Sequence, residues 1–222
     1  DEYNTKILNL SFGSPANLHY EKDPLCKSVR RAKEAGLIVV AAAGNSGPNE
    51  KTIVSPGISP DVITVGAVDD KRTTDPSDDE IAYFSSRGPT NEGLVKPDVV
   101  APGVNINSLS NTELDGYKKM SGTSMATPLI SGSIALLLNK YGSLSPDEVK
   151  RMLMDSCIDL KDAPENQGSG LVNLQKLFNE DSSGGKNKLK KNQKNVSYHH
   201  GNDYIEELLT LLLIFYLLNK EI

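Results

Sequence analysis

No cysteine of this chain stands where it could hold a metal or staple a loop. The two present, Cys26 and Cys157, lie far apart and outside any Cys-x-x-Cys or Cys/His spacing, which excludes a zinc site and a disulfide framework. Both read as small buried apolar residues. Few cysteines suit the bacterial cytoplasm and a secreted bacterial protein alike, so they leave the compartment open. The first 180 residues also lack a basic face interleaved with aromatics, and the formal net charge is −5, which argues against nucleic acid and leaves peptides or proteins as the partner class. The sequence starts Asp1-Glu2-Tyr3-Asn4 without an initiator Met or an apolar signal core, so a targeting segment either lies upstream or never existed.

What is there suits one α/β unit with an appendage: 222 residues, 37% hydrophobic, with 18 glycines. Ile7 to Phe12 is a short apolar run ended by Gly13 and Pro15, a strand entering a loop. Asp23-Pro24 opens a helix with a capping carboxylate and a first-turn proline, Leu25, Val29 and Ala32 share a face, and Gly36 stops it. Leu37 to Ala43 is apolar on both faces, as a central parallel strand requires, and Val62 to Val68 and Val99 to Ala101 repeat the pattern. Strand, helix, strand with short connections predicts a parallel sheet flanked by helices, with functional groups at the carboxyl ends of its strands. Asp69 to Glu80 is a polar, acidic surface loop; Met125 to Leu138 is a buried helix with Pro128 in its first turn; Ser145-Pro146-Asp147-Glu148 is a capping box.

The folded α/β unit is expected over 1–180. A Lys-rich flexible linker follows over 181–203, and a short Leu-rich helical tail over 204–222. The apolar stretch Leu208 to Leu218 reaches about 16 Å as a helix against a hydrocarbon core of about 30 Å, too short to span a membrane alone. A helix docking on protein, an interfacial membrane helix and the product of a disrupted reading frame all fit it.

The sharpest chemical signal is Met120-Ser121-Gly122-Thr123-Ser124-Met125-Ala126-Thr127-Pro128. It sets Ser124 at the start of a buried helix, where free N–H groups and the helix dipole favour negative charge developing alongside. An isolated serine there reads equally as an N-cap. Ala126 excludes the nucleophile elbow of α/β-hydrolases, which needs glycine at that place.

This nonapeptide resembles the serine signature of the subtilisin-like serine proteases, the subtilase family, in which Gly-Thr-Ser-Met-Ala carries the attacking serine. The resemblance runs on in order through Asn9-Leu10-Ser11-Phe12-Gly13, Ala41-Ala42-Ala43-Gly44-Asn45, the run from Ser59 to Ala67, Phe84 to Pro89, Lys96 to Gly103 and Gly168 to Asn173, covering about residues 1 to 178. It implies a serine endopeptidase with Ser124 as nucleophile and Asn45 as the side-chain donor of the oxyanion hole, the Ser124 N–H being the second donor. Asn45 in isolation also reads as a left-handed turn residue. The implied substrate groove uses Ser11, Phe12 and Gly13 as an edge for an extended peptide, Ala42, Ala43 and Gly44 as one pocket wall, and Val54 near the pocket floor. None is charged, so an apolar residue is expected before the scissile bond.

A serine hydroxyl needs a base, and the base needs a third group to orient it. The family order is Asp, His, Ser, so both partners are expected upstream of Ile7, in an N-terminal half of the protein whose strands would also complete the sheet. None of His19, His199 and His200 sits in the family's His-Gly-Thr-His setting. The chain alone is therefore expected to be inactive or nearly so; the alternative is a noncatalytic fragment or pseudoprotease subunit that binds peptides or a partner chain. The resemblance implies calcium as a support of the complete enzyme, with no ligand assignable in these residues.

Overall fold

The computed structural model describes residues 5–110 and 115–178. In chain order these form β1 (Ile7–Leu10), α1 (Pro24–Glu34), β2 (Ile38–Ala42), β3 (Ile63–Asp69), β4 (Glu80–Ile81), β5 (Val99–Pro102), β6 (Ile106–Leu109), β7 (Tyr117–Met120), α2 (Thr123–Tyr141), α3 (Pro146–Asp155), β8 (Cys157–Ile158), α4 (Pro164–Gln167), β9 (Leu171–Val172) and α5 (Leu174–Phe178). The main sheet runs β1-β2-β3-β5-β9-β8, with β4 attached to β3 and a separate β6-β7 hairpin. Pairings from β1 through β9 along this path are parallel, while β4 and β8 pair antiparallel. The expected linker over 181–203 and tail over 204–222 lie outside the described residues. Among the described residues, no helix is long and apolar enough to cross a membrane.

Strand β2 is apolar throughout because both its faces are covered. Val39 and Ala41 pack with Val29 of α1 on one face; Ile38 and Val40 pack on the other with Ala126, Ile130, Ile134 and Leu137 of α2. Each such fully buried aliphatic side chain contributes about 1.5–3 kcal/mol relative to exposure. Helix α1 starts where Asp23 accepts from the Cys26 N–H at 3.0 Å, and the same oxygen takes the Ser55 hydroxyl at 2.7 Å, tying the cap to the segment at 54–55. The box at Ser145 and Glu148 opens α3 as expected.

One expectation needs correcting. Helix α2 begins at Thr123, so Pro128 falls in its second turn, not its first. A proline there has no N–H for the carbonyl four residues back, that of Ser124. The hydroxyl of Ser11 donates to that carbonyl instead, at 3.1 Å.

Under the strand ends lies a charged cluster. Asp98 Oδ2 accepts from Lys96 Nζ at 2.6 Å and from the Thr64 N–H at 2.7 Å, and Oδ1 faces Lys150 Nζ at 2.9 Å. Lys96 also donates to Thr64 Oγ1 at 2.8 Å, and Lys150 to the Val62 carbonyl at 2.9 Å. Burial pushes the Lys96 ammonium down to about 8 against the pull of Asp98. Burial alone would raise the Asp98 carboxyl, but the two ammonium charges outweigh it and hold the group below the usual carboxylate range. The stabilisation from Asp98 is thus present above its ordinary titration range and is lost as pH falls through its lowered folded value. Because Lys96 is buried, Asp98→Asn strands an uncompensated charge and should cost about 3–5 kcal/mol in urea denaturation. Lys96→Met, which leaves Asp98 paired with Lys150, should cost markedly less.

Candidate active site

Three segments meet at the carboxyl ends of the first strands of the sheet: the exit of β1, the exit of β2 and the first turn of α2. Ser124 is the second residue of α2, after Gly122 as N-cap and Thr123, so it does not cap the helix. Its hydroxyl donates to the Ser11 carbonyl at 3.0 Å, while the Ser11 hydroxyl returns a bond to the Ser124 carbonyl. The Ser124 N–H belongs to the first turn, where helix geometry leaves N–H groups without intrahelical partners.

Asn45 follows Gly44 at the end of β2. It is Gly44, at φ +108°, that takes the left-handed conformation, and Asn45 is not among the positive-φ residues, so the turn reading of Asn45 fails. Its Oδ1 accepts from the Thr123 N–H at 2.9 Å and from the Thr123 hydroxyl at 3.0 Å. Thr123 Oγ1 in turn accepts from the Gly44 N–H at 3.2 Å. With Oδ1 engaged twice, the amide is oriented and its Nδ2 donor is presented beside Gly122, where an added Cβ would lie 3.3 Å away. This is a preorganised donor next to a first-turn serine, the arrangement that stabilises negative charge on an oxygen under attack.

The remaining expected residues fall on the same side. Phe12 is exposed, and Gly13 is crossed by Val54, whose Cγ2 would collide with any Cβ at that position. Ala42 and Ala43 are buried, Ala43 among Cys26, Ile53 and Ile58, and the Ala43 carbonyl accepts from the Val54 N–H at 3.0 Å. Neither side chain is therefore presented to solvent.

Two features escaped the sequence reading. Thr123 orients Asn45, and a polar chain runs from Ser131 Oγ to Asn9 Oδ1 at 2.8 Å and from Asn9 Nδ2 to Ser11 Oγ at 2.9 Å. The signal was available: Asn9 and Ser11 share a face at period two, and Ser124 and Ser131 lie two helical turns apart. His19, the one histidine among the described residues, stacks on Tyr20 at 4.7 Å and lies 3.9 Å from Glu21; no histidine or carboxylate hydrogen-bonds Ser124 among the described residues. Nor does any group of three or more His, Cys, Asp or Glu there suit a metal.

Residues 2–199 match the sequence model of the Subtilase family. The chain belongs to the subtilase family. The chain is 47% identical over 184 residues to serine protease AprX of Bacillus subtilis (strain 168), covering 76% of this chain and 42% of that protein. It is 38% identical over 173 residues to subtilisin DY of Bacillus licheniformis, covering 76% of this chain and 55% of that one. The chain thus spans about half the length of these curated subtilase relatives. Among solved structures, the prenylagaramide maturation protease PagA superposes with a TM-score of 0.63 at 29% identity, covering 79% of this chain and 62% of that one. The subtilase fold and the mixed α/β sheet agree with the expectation from the motifs.

The bond from Ser11 to the Ser124 carbonyl exists because Pro128 cannot supply one. Ser11→Ala should cost about 1 kcal/mol in urea denaturation. In a Pro128→Ala background, where residue 128 regains an N–H for that carbonyl, the same change should cost measurably less, giving a coupling energy in a double-mutant cycle.

Proposed function

We propose that this chain is the nucleophile-bearing part of a subtilisin-like serine endopeptidase. The observation that carries the reading is the Thr123 clamp on Asn45 beside Ser124. Ser124 Oγ attacks the carbonyl carbon of a peptide bond; Asn45 Nδ2 and the Ser124 N–H donate to the oxygen as it gains negative charge. The Ser124 proton goes to a histidine, which passes it to the leaving amine, and an aspartate holds that histidine in the productive tautomer. Both are supplied from a segment upstream of Ile7, in the family's order. Without them Ser124 rests on the Ser11 carbonyl as an ordinary hydroxyl, and the chain alone is inactive or nearly so. An extended peptide adds along Ser11 to Gly13 as a strand.

Labelling with a fluorophosphonate, followed by mass spectrometry, tests this. Ser124 should be modified when a separately supplied N-terminal half is present and only slightly when it is absent. Rapid labelling of the chain alone would remove the need for the second half. No labelling of a mixture folded by circular dichroism would favour a noncatalytic peptide-binding subunit. In the complemented protein, Asn45→Ala should lower kcat by about a hundred- to thousand-fold, a scale taken from loss of such a donor in subtilisin, a relative of this chain.

A further inference from the structure

We infer that Val54 makes this protein selective for substrates with a small, alanine-sized side chain immediately before the scissile bond. The inference rests on the endopeptidase reading above and names the substrate class of the same site.

Val54 lies in an extended segment between Ile53, 4% exposed, and Ser55, fully buried, and is itself only partly buried; the alternation turns its side chain to the open side. On that side, where the substrate's side chain would enter, Val54 stands between Gly13, which follows β1, and Gly44, which follows β2. Its isopropyl group touches both walls where they are glycine. A Cβ on Gly13 would collide with Cγ2, and one on Gly44 would come within 2.8 Å of Cγ1. The space that the two glycines leave open is therefore taken by Val54.

The floor cannot drop away to admit more. The Val54 N–H is bound to the Ala43 carbonyl at 3.0 Å, and Ser55 exchanges backbone bonds with Ser14 at 2.9 and 3.0 Å. The Ser55 hydroxyl is bound to the capping carboxylate of α1 at 2.7 Å. Three separate elements hold this short segment, so a large side chain entering there meets a fixed methyl pair, and overpacking of that kind is not relieved by small shifts. None of Phe12, Gly13, Ala43, Gly44 and Val54 carries a charge, so a charged side chain gains nothing from them to offset its desolvation.

The experiment uses the full chain complemented with the N-terminal half and a set of peptidyl diaryl phosphonates that differ only in the residue preceding the phosphorus: alanine, valine or phenylalanine. Rates of Ser124 adduct formation are followed by intact mass and referred to the rate with a small alkyl fluorophosphonate. The alanine probe should react faster than the phenylalanine probe by about tenfold or more, the scale of a misfit in an apolar pocket. Val54→Ala and Val54→Gly should shrink or invert that ratio; two variants are used because glycine alone can unsettle the segment, which circular dichroism would show. Equal rates for alanine and phenylalanine, or a ratio unmoved by Val54→Ala, with Ser124 still taking the alkyl probe, overturns the inference and leaves the endopeptidase reading standing. Failure of the alkyl probe to modify Ser124 in a folded complex removes that reading, and this one with it.

Discussion

Two serines exchange hydrogen bonds across 113 residues of chain, and the geometry of the site follows from that exchange. Pro128 opens the ladder of α2 at the carbonyl of Ser124, and a carbonyl freed in this way must find a donor or carry a desolvation cost. The donor is Ser11, at the end of the first strand, so the register of helix against sheet is set where the chemistry is needed. Asn9 and Ser131 extend the same contact, two residues back along the strand and two turns on along the helix. The result is a serine hydroxyl held on a helix end by groups from a strand end, so its position is fixed by two elements at once.

The charged cluster at Lys96, Asp98 and Lys150 does a comparable task at the opposite end of the strands. It joins the start of β3, the approach to β5 and the second turn of α3 through one carboxylate. Such a buried group adds little net stability compared with apolar side chains of the same volume, yet breaking it is expensive because the partner charge remains behind.

Local pattern explains how much of this was legible beforehand. Helix α1 is announced by Asp23-Pro24, α3 by its capping box, and β2 by a run too apolar for anything but a strand covered on both sides. The β6-β7 hairpin carried no such mark: Tyr117 to Met120 are all exposed, so no alternation betrays the strand that pairs with β6. Strands β8 and β9, two residues each, are likewise below the length at which periodicity can speak. At the site, the motif pointed to Ser124 and Asn45, while the clamp by Thr123 was hidden because it joins two positions 78 residues apart and depends on which helix turn Thr123 occupies. The turn reading of Asn45 stayed open for a related reason: Gly and Asn both tolerate the left-handed conformation, and only the backbone shows that Gly44 takes it.

Residues 11, 45, 54 and 124 come from four separate stretches, none of which forms any part of the site by itself. They meet only after parallel strands joined by long crossovers have paired, a late and slow event in folding because distant segments must first be brought together. A partly synthesised or partly unfolded chain consequently presents a serine in an ordinary helix end, chemically quiet. The polar geometry around Ser124 is thus a property of the assembled sheet and of no single stretch of the chain.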